Sequence, residues 1–529
     1  MTIDQKSRHL WQTIALTQKA AFFSCFVTGY LVHLYAFTNL IPNSDGLSRV
    51  FDLQQMTISG RWFLHYASAL NEFTQMPAVI GFFSILFLSF AAAFVVDLLS
   101  IRSSILAGFV GVVMAAFPCL GYTFLYLFTA SAYCLAILLA VLSVWLACRG
   151  KVGWLLGVLA LALSMGTYQA YATVAISLSL LCVFREALNP DASFRPTLYL
   201  GLRLVAYLAA GAAVYYGILL VVLRWKDLEL LSYLGMDAAS SGFPFSQLPS
   251  LLLETYKQVV AFFFLPGSPN GFSSTLMVTL DLVALLLGAY CLFRCLRQGG
   301  LWKESWRVVG TLGLLALLPL GVNFMQILSP YSQPTPLMKY AHVAVYLTVL
   351  LVVDIVDRST PHRGLAPATA LWVTVLFLFS LNTNNLLYSA SAQAHRATES
   401  YITRLLSRIE SCPGYQPDME VAIIGTIPAQ QIYSQIPSYT RIDHYSVPLN
   451  TVVPLNKHLY YYLNHWLNVP IEEPEEQTML DLSQSQAFQE MPLYPADGSV
   501  AILDGRVVVK LQEEYTPKSD YEIAYENRR

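Results

Sequence analysis

The sequence predicts a mainly α protein: a polytopic bundle of membrane-spanning helices with its N-terminus inside, followed by an extracytoplasmic α/β domain. Three observations lead there. Of 529 residues, 56% are hydrophobic and 12% charged, about half the ~25% charge of a soluble domain. Apolar runs of spanning length recur along the chain as far as residue 383. Beyond it no run is long enough to cross a bilayer.

A spanning helix needs about 20 mostly apolar residues, and that template gives about eleven spans, near 19–40, 78–100, 104–118, 123–147, 153–167, 171–187, 199–223, 274–295, 307–326, 340–357 and 366–383. The segment 256–267 is too short and ends in Pro266-Gly267, so it reads as re-entrant or interfacial. The first apolar run lacks a cleavage site and reads as a permanent anchor. With the N-terminus inside, the inner flanks (Lys6, Arg102, Arg149, Lys151, Arg185, Arg294, Lys303 and others) carry more Lys and Arg than the outer ones, as the positive-inside rule requires. An odd number of spans then puts the tail outside. Domains are expected at 1–383 and 384–529. In the tail, 395–411 reads as an amphipathic helix with Ile402, Leu405, Leu406 and Ile409 on one face, and Val421–Gly425 as a buried strand. Val500–Leu503, Asp504-Gly505 and Arg506–Val509 read as a hairpin, because Asp-Gly suits a type I′ turn.

A net charge of −2 gives no support to a nucleic-acid partner. Seven of the eight cysteines lie in or beside apolar runs, so neither a disulfide framework nor a CxxC metal site is implied. The sequence has no Walker pattern and no Asp-x-Asp of the kind that holds a metal and a sugar nucleotide.

Polar residues concentrate in the outer segments. Asp45, in the turn Pro42-Asn43-Ser44-Asp45-Gly46, is the first candidate for chemistry, since glycosyl transfer needs a carboxylate to take the acceptor hydroxyl's proton. Its plain reading is a turn aspartate that caps the helix after it. Asp52 is a second carboxylate or a solvated surface charge. Arg61, in Ser59-Gly60-Arg61-Trp62-Phe63, suits a phosphate leaving group, which wants a fixed bidentate cation; its alternative is snorkelling to lipid phosphates. Lys339 and His342 pose the same choice, and His65 joins the donor-phosphate candidates. Tyr168 and Gln169, in a tight outer turn, suit a sugar, although tyrosines there also form interface belts. Asp281, at membrane depth, is functional or paired by default.

The Asn43–Gly46 turn, Ser59–Phe63 and Gly166-Thr167-Tyr168-Gln169-Ala170, taken in order, resemble the bacterial Gtr-type glucosyltransferases that modify O-antigen. The resemblance covers about 15–385. It implies the GT-C architecture, a polyprenyl-phosphate-linked glucose donor, a lipid-linked glycan acceptor and transfer at the periplasmic face of the inner membrane. It also implies no metal or cofactor, and a small-membrane-protein flippase and a donor synthase in the same pathway. Carried onto this chain, it makes Asp45 the general base and Arg61 a donor-phosphate contact, with Gln169 at the sugar. The rivals are a transporter of a lipid-linked sugar, which would show inverted repeats and broken helices, and a non-catalytic scaffold.

Overall fold

The computed structural model describes residues 2–47, 57–71, 74–228, 230, 245–266, 274–298, 300–328, 334–359, 364–438 and 452–517. Among them ten helices are long and apolar enough to cross a membrane, or eleven if the bent pair Ser104–Ala116 and Cys119–Leu125 is one span. Pro118 explains the 45° bend: it removes a backbone donor and pushes Phe117 out of the helical region, to φ −54, ψ 125. Asp52 and Glu72 lie outside the described residues.

The chain divides into two compact units: Met1–Leu40 with Phe51–Tyr388 and Ile442–Pro448, and Ile41–Val50 with Ser389–Arg441 and Leu449–Arg529. The first is the helix bundle. Leu16–Thr38 shows how its helices are used: Ala21, Cys25, Val32 and Ala36 are buried, while Phe23, Val27, Leu31 and Leu34 form an exposed stripe. An exposed apolar stripe of that length is a lipid-facing surface.

Side-chain polar groups join helices where the bilayer offers no water. His33 bonds the Tyr388 hydroxyl at 2.6 Å and the Ala115 carbonyl at 2.9 Å. At the expected inner face, the buried Arg307 donates to the carbonyls of Ala187, Asn189, Pro190 and Ala192. Asp354, near the end of Val343–Ser359, is fully buried; it accepts from the backbone of Arg102 and Ser103 and pairs with Arg358.

Two segments are longer than hydropathy suggested. The helix around 256–267 begins at Leu248 and runs to Phe264, with Leu251, Thr255, Val259 and Phe262 buried at the spacing of one helical face. The last span and the amphipathic segment after it form one 46-residue helix, Leu365–Glu410. Neither Gly nor Pro occurs between Pro367 and Pro413, so nothing in the backbone ends it sooner.

In the second unit, β1 (Val421–Ile424), β2 (Val500–Leu503) and β3 (Arg506–Lys510) form a sheet in the order β1-β3-β2. β1 and β3 run parallel, and β2 and β3 antiparallel. Asp504 (φ 50) and Gly505 (φ 75) make the hairpin turn, both left-handed as a I′ turn requires. Alternate strand residues face opposite sides. Val421, Ile423, Val507 and Val509 pack with Ile402, Leu405, Leu459 and Leu463, whereas Ala422, Ile424 and Val508 pack with Met479 and Phe488. Leu47 is part of the first cluster, which accounts for the outer segment after the first span joining this unit.

Candidate functional site

In the first unit, two turns expected on the outer face interlock. Gly60 adopts φ +81, a conformation that a side chain would strain, and the chain reverses there, with the Gly60 N–H donating to the Thr57 carbonyl at 2.9 Å. The Gly150–Thr167 helix ends at Tyr168, whose backbone is extended at φ −158. The Phe63 N–H then donates to the Gly166 carbonyl at 2.8 Å. This approach requires glycine, because a Cβ at Gly166 would lie 2.7 Å from the Trp62 ring.

Side chains finish the joint. The Gln169 amide nitrogen donates to the Ser59 carbonyl at 2.9 Å and to the Tyr215 hydroxyl at 3.1 Å. That hydroxyl donates in turn to the Gly60 carbonyl at 3.1 Å. Gln169 and Tyr215 thus hold the two peptides preceding Arg61. The Arg61 guanidinium lies 5.0 Å from the Tyr168 ring centre, within cation–π range. Tyr168 is itself buried, stacked 4.6 Å from Tyr133 and edge-on to Tyr171 at 5.4 Å. Trp62 stacks on Tyr215 at 6.5 Å, and its buried indole N–H has no partner among the described residues.

The 3-10 segment Pro336–His342, which carries Lys339, packs against Gln169–Tyr171 and against Cys119–Leu125. Lys339 is 5% exposed, and its ammonium lies 5.7 Å from the Phe262 ring. His342 donates through Nδ1 to the Lys339 carbonyl at 3.0 Å and lies 4.5 Å from the Phe262 ring and 5.9 Å from that of Phe263. Phe263 is also a wall of a cavity of about 450 Å³, which runs beside Val345, Tyr346, Val349 and Val352 of the next helix. Its lining is apolar apart from Asp281, Tyr346 and Thr348. Asp281 accepts from the Tyr346 hydroxyl at 2.6 Å through one carboxylate oxygen, and the other has no partner among the described residues.

Arg61, Tyr168 and Gln169 therefore meet, and the Lys339 segment packs against Gln169–Tyr171. His65 is exposed on the Leu64–Ala67 turn, edge-on to Tyr66 at 5.4 Å. Asp45 belongs to the second unit. There Asn43 caps the Ser44–Leu47 turn: its Oδ1 accepts the Asp45 N–H at 2.9 Å and its carbonyl the Leu47 N–H at 3.1 Å. The Asp45 side chain is exposed. Sequence reasoning missed Tyr215, one tyrosine among several in a long apolar helix. The adjacent pair Tyr215-Tyr216 in that helix's C-terminal half was its only signal. Among the described residues, no three His, Cys, Asp or Glu side chains gather as metal ligands.

A family model described as glucosyl transferase GtrII matches residues 34–353. No curated protein and no solved structure matches the chain.

Proposed function

The chain belongs to the glucosyl transferase GtrII family, and from that premise we propose that it moves glucose from a polyprenyl-phosphate donor to an envelope glycan such as O-antigen, at the periplasmic face of the bacterial inner membrane. The observation that carries the reading is Arg61, held by Gln169 and Tyr215 through the peptides before it, with the Lys339 segment packed on Gln169–Tyr171. A fixed guanidinium and a buried ammonium suit a phosphate that gains charge as its bond to the sugar breaks. The indole N–H of Trp62 adds a donor without a partner among the described residues. The nearby apolar cavity of about 450 Å³ supports a donor with a lipid chain, since its lining is almost wholly hydrocarbon.

In the proposed step, Asp45 takes the proton of an acceptor hydroxyl and that oxygen attacks the anomeric carbon. The bond from that carbon to the phosphate oxygen breaks, and polyprenyl phosphate leaves with the electron pair. One displacement with one base inverts the anomeric centre. Arg61 and Lys339 hold the leaving phosphate, with His65 as a further cation of the outer segment, while Tyr168 and Gln169 border the sugar. Asp52 is the second carboxylate of this proposal.

The test is transfer by purified protein given polyprenyl-phosphate glucose and a lipid-linked glycan, beside Asp45→Asn. Loss of transfer in a folded variant that still binds donor supports Asp45 as base. An active variant removes it from that role. Movement of the lipid-linked sugar across vesicles without transfer refutes the enzyme reading.

A further inference from the structure

The second unit contains a feature that the donor chemistry does not use. The helix Asn456–Tyr461 continues into a π-helical turn, Tyr462–Trp466, closed by the Leu467 N–H donating to the Tyr462 carbonyl at 3.0 Å. Such wide turns are uncommon and recur at functional sites, because they re-aim side chains that a regular helix would stack along its own surface. Here Tyr461 and His465 lie with their rings almost parallel, 8° apart and 5.7 Å between centres. Tyr461 is half-buried and His465 exposed. Beneath them the turn is rigid: Tyr462 is fully buried and bonds His395 at 3.0 Å, and Asn464 exchanges two hydrogen bonds with Ile471.

The pair is also joined to the Asp45 turn. His465 Nδ1 donates to the Leu47 carbonyl at 2.8 Å, and Ser44–Leu47 packs on both Asn456–Tyr461 and the π turn. Leu47 is two residues from Asp45, so roughly 7 Å of backbone at most separates the imidazole's anchor from the carboxylate's residue. At the base of the same turn, the Asn43 side-chain nitrogen is buried and has no hydrogen-bond partner among the described residues; Asn43 is 3% exposed. A partly exposed aromatic pair, a hydrogen-bonding imidazole and an exposed aspartate thus lie on adjoining turns of one unit, with the Asn43 amide buried at their base.

We propose that Tyr461 and His465 form the acceptor platform, on which a pyranose ring of the glycan stacks with its hydroxyls toward the Asp45 turn. A hexose has an apolar C–H face and a polar rim, which match the outward face of a stacked aromatic pair bordered by hydrogen-bonding groups. This deepens the transferase reading and rests on it for the identity of the glycan as acceptor.

The experiment uses full-length protein in detergent, with oligosaccharides released from the producing organism's own envelope polysaccharide. Saturation-transfer NMR reads binding without needing turnover. Signal is expected from wild type and from Tyr461→Trp, and little from Tyr461→Ala. In the transfer assay, Tyr461→Ala is expected to raise the acceptor KM roughly tenfold, the size of one aromatic contact, with the donor KM unchanged and Tyr461→Trp near wild type. No signal from wild type, an equal signal from Tyr461→Ala, or a rise confined to the donor KM overturns the platform. Should wild type bind oligosaccharide in a Tyr461-dependent way yet transfer no glucose, the platform stands and the transferase reading fails.

Discussion

Replacing Gln169 by Met keeps the length and volume of the side chain and removes its two donated hydrogen bonds, to the Ser59 carbonyl and the Tyr215 hydroxyl. Each is worth about 1 kcal/mol net, and the Ser59 carbonyl left without its donor adds about 1 kcal/mol or more. Gln169 is only 9% exposed, so little water is available to repair the loss. If about 2 of these roughly 3 kcal/mol are expressed in the positioning of Arg61, kcat/KM falls about 30-fold. Tyr215→Phe removes the bond to the Gly60 carbonyl and the acceptor for Gln169. Because the two variants share one bond, the double variant is expected to cost about 1 kcal/mol less than the sum of the singles. Initial rates of glucose transfer for the four proteins, with thermal melts to confirm folding, measure all of this. A normal rate in Tyr215→Phe beside a slow Gln169→Met would refute the positioning role and leave Gln169 as a direct sugar contact.

Arg61→Lys keeps the charge but loses the planar fork over Tyr168; donor KM should rise about tenfold, and an unchanged value rejects Arg61 as the phosphate contact. Gly166→Ala puts a methyl 2.7 Å from the Trp62 ring, an overpacking that costs about 1–3 kcal/mol; a lower melting temperature and slower transfer are expected, and a variant with both unchanged contradicts the interlock. Cys148 is partly exposed, whereas the other seven cysteines are buried. A hydrogen bond from Cys182, with Arg185, Arg203 and Arg149 nearby, lowers its thiol from 9.0 to about 7. A membrane-impermeant maleimide should therefore label it in inverted vesicles and not in intact spheroplasts. The rate should climb as pH rises through about 7, as the thiolate forms. Labelling of intact spheroplasts overturns the N-in topology.

The spans were legible because an apolar run of about 20 residues has few other uses. Leu365–Glu410 was read as two elements because hydropathy falls after Phe379, while the features that end a helix are absent until Pro413. The interlocked turns were half legible. Arg61, Tyr168 and Gln169 were conspicuous as polar residues between apolar runs. Tyr215 looked like any interface tyrosine, and its role depends on which carbonyls the fold brings to its hydroxyl. The membership of Asn43–Leu47 in the second unit could not be read at all. It follows from the packing of Leu47 among Ile402, Leu459 and Val507, a contact to which no local pattern points.

That packing has a consequence for the order in which the protein matures. His465, which holds the Leu47 carbonyl, lies 418 residues further along the chain. At synthesis rates of about 5–20 residues per second, roughly 20–80 s pass between the two leaving the ribosome. Throughout that interval the Asp45 turn lacks the core that shapes it, while most of the bundle is already being inserted. A ribosome that stalls before the tail thus yields an inserted bundle whose first outer turn has never acquired its native support.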